Sequence, residues 1–123
     1  MLRIREEQLA ALRAAAMEQY LEKTRRHVER HFRARCAELG EAGTKELVAL
    51  GVARAAEHGL SIERNIRRYV DLVFTFGAGF DRDPALPWAS AILGTTQMDE
   101  TPRMDWLFET ALAEAERLDG ERA

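Results

Sequence analysis

Two histidines, His27 and His31, stand four residues apart in the sequence His-Val-Glu-Arg-His, a spacing that places both rings on one helical face. Such a pair can chelate a metal ion. In the zinc-protease pattern a glutamate follows the first histidine and activates water, but here that position holds Val28. Neighbouring arginines also oppose a bound cation. We therefore predict polar residues on a basic helix, with no metal site.

A second group of polar residues is Asp81 and Asp83, which Asp71 precedes on the chain. Paired carboxylates suit acid–base catalysis or Mg²⁺ binding. No nucleophile, phosphate loop or partnering histidine stands near them in an interpretable arrangement. Since both aspartates flank a helix end and a proline, we predict that they bond their own backbone. Gly77-x-Gly79 lacks the third glycine and the strand of a dinucleotide fingerprint, so it indicates no cofactor.

A basic run covers the region around the histidines. Its members are Lys23, Arg25, Arg26, Arg30, Arg33 and Arg35. Phosphate contacts need clustered cations, but interleaved glutamates and the net charge of −3 argue against nucleic acid. The run is typical of a solvated helix face or of a patch for an acidic protein. Arg26, Arg30 and Arg33 are our candidate partner-binding residues on it, and nucleic-acid binding is the less favoured alternative.

Trp88 follows a proline at the start of a short predicted helix, a position that suits the core and an interface anchor equally. Together with Asp81 and Asp83 it forms the second candidate surface for a partner. Cys36 lies on an apolar helical stripe, which predicts a small core residue. Because it is the one cysteine, an intramolecular disulfide is excluded.

The elements that position these residues are predicted to be helices. Ala, Leu, Arg and Glu are abundant, and β-branched residues never alternate with polar ones over a strand length. A chain of 123 residues predicts a single domain, 1–123. The fold class is therefore all-α, a compact bundle of about five helices with a long first helix.

The first helical segment is predicted over residues 3–39. Unbroken, it would reach about 55 Å at the usual rise per residue, while a compact domain of this size is only roughly 35 Å across. It must bend, project or be covered by a partner, and we expect a bend or a helix pair near residues 31–35.

Four further helices are predicted. A turn at Gly40 to Gly43 leads to a second helix, with Thr44 as its N-cap and Gly59 as its left-handed end. Ser61 is the predicted N-cap of the third helix, which spans about 62–80, holds the densest apolar run and forms the buried centre. A short fourth helix begins at proline 87, and a final amphipathic helix begins at Thr101-Pro102.

Charge is divided unevenly along the chain. Residues 1–68 hold 14 Lys/Arg against 10 Asp/Glu, a net +4, and residues 69–123 hold 4 against 11, a net −7. The two parts can attract each other in the fold, or the division can orient a partner. The N-terminal stretch is predicted to be neither a signal peptide nor a membrane span, because charged residues interrupt it. We therefore expect the protein to be located in the cytoplasm.

Three segments carry a family resemblance: the opening LRIREEQLAAL, the segment His31-Phe32…Arg35-Cys36…Leu39-Gly40, and the block FGAGFDRDPALPWASAIL. Together they resemble a family of small bacterial helical proteins encoded in type VI secretion and polymorphic-toxin gene clusters. The similarity extends from Leu2 to about Leu112, and its motifs are structural. Relatives often carry proline where this chain has Arg33, which favours a helix break there.

The resemblance implies no catalytic residues and suggests a role beside secreted effectors. We therefore predict a non-enzymatic protein-interaction module, an adaptor or chaperone for an effector. The alternative is an immunity protein that neutralises a toxin through acidic residues, namely Asp99, Glu100, Asp105 and Glu109. A homodimer of paired first helices is a further alternative, and no cofactor is predicted.

Overall fold

The structure is a computed structural model that describes residues 3–122, with side chains up to Glu121. Within this range the chain forms helices and no strand, which confirms the all-α prediction. The elements are α1 (Glu6–His31), α2 (Arg33–Glu57), α3 (Glu63–Phe76), a 3₁₀ helix (Phe80–Arg82), α4 (Pro87–Leu93) and α5 (Glu100–Arg122). No helix in the described range is both long and apolar enough to cross a membrane.

The predicted bend in the first segment is confirmed. Phe32, at φ −131° and ψ 50°, separates α1 from α2, and its amide still donates to the carbonyl of Val28 at 2.7 Å. The thiol of Cys36 lies 3.6 Å from that same carbonyl. A local break, which needs no proline, therefore ends the long first helix at His31.

The predicted interruption at Gly40 is confirmed, since two helical stretches meet there at a kink within α2, but no turn extends to Gly43. Gly40 adopts φ 74°, a left-handed conformation that L-residues rarely take, and helix resumes directly after it. Thr44 is therefore not an N-cap. It is buried inside the helix, and its hydroxyl donates to the carbonyl of Cys36 at 3.4 Å.

The chain divides into two compact units, one ending at Val48 and the other beginning at Ala49. The first unit contains α1 and the beginning of α2. Its buried side chains are Thr24, Val28, Thr44 and Val48. All residues from 3 to 19 are exposed, so burial in α1 begins only in its second half.

The second unit packs the end of α2, then α3, the 3₁₀ helix, α4 and α5 around one apolar core. Helix α5 packs against α3 and α4, and the 3₁₀ helix also packs against both. The central helix is buried as predicted, with Tyr69, Val70 and Val73 fully covered. It is shorter than the predicted span, because Gly77 at φ 109° ends it after Phe76.

The first turn of α5 supplies the ends of other helices with polar partners. Glu100 accepts hydrogen bonds from the hydroxyl and amide of Ser61, from the amide of Ile62 and from the side chain of Asn65, at 2.7 to 3.2 Å. Ser61 is therefore not the N-cap of α3, because Ile62 holds that position without a side-chain cap. The carboxylate of Glu100, on a helix distant in sequence, thus accepts the hydrogen bonds that a local N-cap side chain normally accepts.

Arg103, one turn later, is the matching cation for helix C-termini. This buried guanidinium donates to the carbonyl of Leu93 at 3.1 Å, at the end of α4, and to the carbonyl of His58 at 3.0 Å, just past the end of α2. Positive charge at a helix C-terminus is favourable because the last carbonyls lack partners within the helix. One side chain of α5 therefore fixes two other helices.

Glu100 makes the stability of the second unit sensitive to acid. Partial burial opposes its charge, but bonds from Ser61, Asn65 and the Ile62 amide hold its pKa at about 2, below the usual 4.5. Since the folded-state pKa is depressed, the stabilisation is complete above pH 4.5 and is lost as the pH falls towards 2. We expect Glu100→Gln to lower the free energy of unfolding at pH 7 by about 1 kcal/mol, as loss of a cap does. Urea titrations should show that the difference in unfolding free energy between Glu100→Gln and the unchanged chain shrinks as the pH falls from 4.5 towards 2. If that difference is the same at low pH, the charge of Glu100 does not stabilise the fold.

Gly51 allows α2 and α3 to approach closely. A Cβ atom placed there would lie 3.2 Å from Cγ2 of Val70, a contact tighter than most real ones. We expect Gly51→Leu to destabilise the fold by about 1–3 kcal/mol, because the added atoms overpack this contact. Gly120→Leu is the matched control, since no atom lies within 4 Å of its added Cβ. Equal effects of the two substitutions on urea unfolding would exclude a packing role for Gly51.

Candidate functional site

The most strongly organised polar group in the second unit is a buried ion-pair cluster centred on Asp81. Its side chain has no exposed area, and Oδ2 accepts hydrogen bonds from Arg54 Nη2 at 2.5 Å and from His58 Nε2 at 2.7 Å. Burial alone would raise the pKa of Asp81, but the bonds from Arg54 and His58 outweigh it and hold the pKa below 3.8. The carboxylate is therefore charged inside the core.

The cluster results from two local features of the chain. Arg54 is in the last turn of α2 and His58 is just past its end, four residues later, so both project from the same side of this helix end. Gly77 ends α3 and lets the chain turn into the 3₁₀ helix that carries Asp81 inward. The turn-chemistry prediction for Asp81 is wrong, as is the prediction that no histidine is its partner. Asp81 and His58 are 23 residues apart in the sequence, so no local pattern indicates their contact.

Tyr69 packs beside this cluster. Its ring centroid lies 5.6 Å from that of His58 and 5.1 Å from that of Phe80. Burial raises the pKa of the Tyr69 hydroxyl, and the negative charge of Asp81 raises it further. Within the described part of the chain, the hydroxyl and Asp81 Oδ1 have no partner in hydrogen-bond geometry. The neutral phenol is thus the stable form next to the carboxylate.

A shallow cavity of about 380 Å³ opens beside the cluster. The residues that line it include Glu57, His58, Asp81, Ser90 and Thr96. The serine hydroxyl donates to the carbonyl of Pro87 in its own helix at 3.4 Å, and Nε2 of His58 is occupied by Asp81. The geometry therefore describes an ion pair that holds the 3₁₀ helix to α2, with the imidazole facing the carboxylate and no aligned nucleophile among these lining groups.

The second candidate surface, predicted from Asp81, Asp83 and Trp88, divides into different environments. Asp83 is exposed and accepts a hydrogen bond from the amide of Ala85 at 2.9 Å, which confirms the predicted turn. Trp88 is half-buried, with its ring edge-on to Phe76 at 5.5 Å. Asp81 is fully covered, so it is not available to a partner in this structure. Asp83 and part of Trp88 remain accessible.

The first candidate surface, on the basic helix, is exposed, but fewer of its arginines are unpaired than the sequence suggests. Arg26 lies 3.4 Å from Glu22, which also pairs with Arg25. Arg30 and Arg33 are exposed, and no ion pair with either is found among the described residues. They are the two free cations among the three predicted contacts.

The two histidines of the chelation pattern do lie close together. The ring centroids of His27 and His31 are 4.7 Å apart, and the ring planes meet at 48°. In the range that the structure describes, no three His, Cys, Asp or Glu side chains gather in a way that could hold a metal ion.

Large apolar side chains also remain in solvent on the first half of α1. The exposed fraction is 39% for Leu9, 60% for Leu12 and 49% for Met17. We call residues 6–19 the exposed half of α1. Sequence periodicity found the stripe itself, since Leu9, Leu12 and Ala16 recur at threes and fours, but it did not show that the stripe is uncovered.

The Asp81 cluster predicts a strong and local stability effect. We expect Asp81→Asn to lower the free energy of unfolding by about 3 kcal/mol, the lower end for a broken buried pair, because Arg54 and His58 lose their charged partner. Asp83→Asn is the matched control two residues away, and an amide oxygen can replace its turn bond at little cost. Urea unfolding at pH 7 measures both variants. If Asp81→Asn is as mild as the control, the cluster is not what holds the 3₁₀ helix.

No family model matches the chain, and neither the curated proteins nor the solved structures contain a match to it. The resemblance to helical proteins of secretion and toxin gene clusters therefore stays a prediction.

Proposed function

We propose that this chain is a non-enzymatic protein-interaction module that binds a partner protein through the exposed half of α1. The observation that carries the proposal is the exposure of every residue from 3 to 19, including Leu9, Leu12 and Met17. In the described chain this half of the helix has no apolar cover. A surface of this kind marks a contact for another molecule.

Helix energetics support this proposal. Isolated helices shorter than about 12–15 residues are marginal in water, and packing of an amphipathic face normally supplies the missing stability. The exposed half of α1 has about this length, yet its apolar stripe packs on nothing described. A partner that covers the stripe would supply the stability that the segment lacks.

Charge indicates the kind of partner. Seven-residue steps return nearly to the same side of a helix, and from Leu9 they lead through Ala16 to Lys23 and Arg30. The apolar stripe is therefore continuous with a basic one, and Arg33 follows directly at the start of α2. An acidic protein with exposed apolar side chains is complementary to this surface.

The family resemblance favours an accessory adaptor or chaperone for a bacterial effector within this class of function. Such a protein binds an effector through an apolar and charged surface and does not catalyse a reaction. The Asp81 cluster agrees with this role, because its groups are engaged with one another in the core.

The immunity alternative depends on fewer acidic residues than the sequence suggests. Glu100 bonds Ser61 and Asn65, and Asp105 bonds Arg68 at 2.8 Å, so both stabilise the fold. A test of toxin neutralisation should therefore change Asp99 and Glu109, which are exposed, and leave the other two intact.

The proposal predicts that binding is lost when the apolar stripe of α1 is charged. We expect the variant L9E/L12E to lose partner crosslinks in host cells by at least about tenfold, which corresponds to about 1.4 kcal/mol. The matched control A10E/A14E adds the same charge to the opposite side of the same helix. Crosslinking with quantitative mass spectrometry measures the loss, and circular dichroism checks that both variants keep equal helicity. A partner retained equally by both variants, or no partner at all, would overturn the proposal.

A further inference from the structure

An uncovered apolar surface also lies on α5, within the second unit. The exposed fraction is 45% for Trp106 and 56% for Leu112, although the other side of the same helix is buried at Met104, Leu107 and Ala111. Tryptophan is enriched among the residues that anchor protein interfaces, and it is rarely left in water on a surface that binds nothing. The solvent side of α5 is therefore a docking surface in search of a partner.

The exposed apolar side chains alternate with carboxylates along this side of the helix. Five exposed residues define what we call the acidic face of α5: Trp106, Glu109, Leu112, Glu116 and Asp119. Successive members are three or four residues apart, which places them on one side of a helix. From the first member to the last the face extends for about 20 Å, or about four helical turns.

The described chain supplies no counter-charge to this face. None of its three carboxylates forms an ion pair with a described residue. Arg117, on the same helix, is bound by Glu114 and Glu121. Arg68 of α3 is bound by Asp105 at 2.8 Å. The face therefore presents apolar side chains together with negative charge that is not neutralised.

The position of these charges is unfavourable for the helix itself. Glu116 and Asp119 are neighbours three residues apart, and like charges at such spacings destabilise a helix. Asp119 also lies in the last turn of α5, where the partial negative charge of the helix C-terminus disfavours a carboxylate. Cations from a partner, placed between these carboxylates, would reduce both costs.

We propose that the acidic face of α5 binds a basic amphipathic helix of a partner protein. Its lysines or arginines lie against the three carboxylates, and its apolar side chains cover Trp106 and Leu112. A helix fits this face because its own side chains recur at the same steps of three and four residues. Unlike charges around the apolar contacts set its register. Phosphate groups of nucleic acid or of lipids are repelled by such a face.

This inference goes beyond the proposed function and does not depend on it. It concerns a different helix, and it requires a basic partner segment, whereas the proposed partner of α1 is acidic. A failure of either proposal therefore leaves the other standing.

Tryptophan fluorescence of the purified full chain tests the contact directly. The chain has two tryptophans, so Trp88→Phe leaves Trp106 as the reporter and keeps an aromatic ring against Phe76. The probe is a synthetic peptide of about 18 residues, roughly five helical turns, with leucine and lysine at steps of three and four. The control probe is the same peptide with its sequence scrambled. We expect the emission of Trp106 to shift to shorter wavelength with a Kd of roughly 10–100 µM, and the scrambled peptide to bind at least about tenfold more weakly.

Two variants separate the charge of the face from its apolar contact. E109K/E116K reverses two of the three carboxylates and should weaken binding by at least about tenfold. Leu112→Gln changes no charge and should weaken it by about tenfold, because an apolar side chain is no longer buried. The matched control E18K/E46K makes the same change of net charge on exposed residues of α1 and α2 and should bind the peptide as the unchanged chain does. Circular dichroism checks that all variants keep equal helicity.

Three outcomes of this titration would overturn the inference. They are equal binding of the two peptides, equal loss of binding in E109K/E116K and its control, and an emission of Trp106 that does not shift. Binding that Leu112→Gln leaves unchanged would reduce the contact to charge alone and would overturn the docking surface as well.

Crosslinking in host cells then identifies the natural occupant. A photoreactive residue is placed at Ala113, which is exposed and lies seven residues after Trp106 on the same side of α5. We expect the crosslinked segments to carry lysines or arginines at steps of three and four. Crosslinks to a second copy of this chain, to segments without such a basic pattern, or to no protein at all would overturn the inference.

Discussion

A charged carboxylate in an apolar core is the interaction on which the second unit depends. Asp81 follows the buried Phe80 and lies near Tyr69, where an unpaired charge would cost several kcal/mol. Arg54 and His58 reduce that cost, and their bonds also determine where the 3₁₀ helix lies. Because this helix packs on both α3 and α4, the cluster connects the end of α2 to the rest of the unit.

The inward use of these charges leaves other surfaces for recognition. Some polar residues that the sequence offers for partner binding, such as Asp81 and Glu100, instead form hydrogen bonds within the protein. Apolar residues that look like core, such as Leu12 and Leu112, are in water. Exposed apolar side chains thus lie on one side of α1 and on one side of α5.

Local patterns predicted the helices well and the polar contacts poorly. Periodicity and helix-ending residues identify α1, the break near Phe32 and the end of α2 at Gly59, because these depend on neighbouring residues. The bonds of Asp81 and Glu100 join residues 23 to 39 positions apart, so no local rule reports them. A hint existed: Arg54 and His58 share a helix face near its end, and an aspartate follows a glycine that can turn the chain. Exposure of the α1 stripe depends on what packs there, which periodicity does not show.

Placement of Glu100 and Arg103 in one turn of α5 has a consequence for the order of folding. Together they complete the start of α3 and the ends of α2 and α4, three places that otherwise hold unsatisfied backbone groups. During synthesis the N-terminal elements emerge first, so these helix ends lack their hydrogen-bond partners until α5 has been made. The second unit should therefore acquire protection from hydrogen exchange in one late cooperative step, because frayed ends on three helices close when α5 docks.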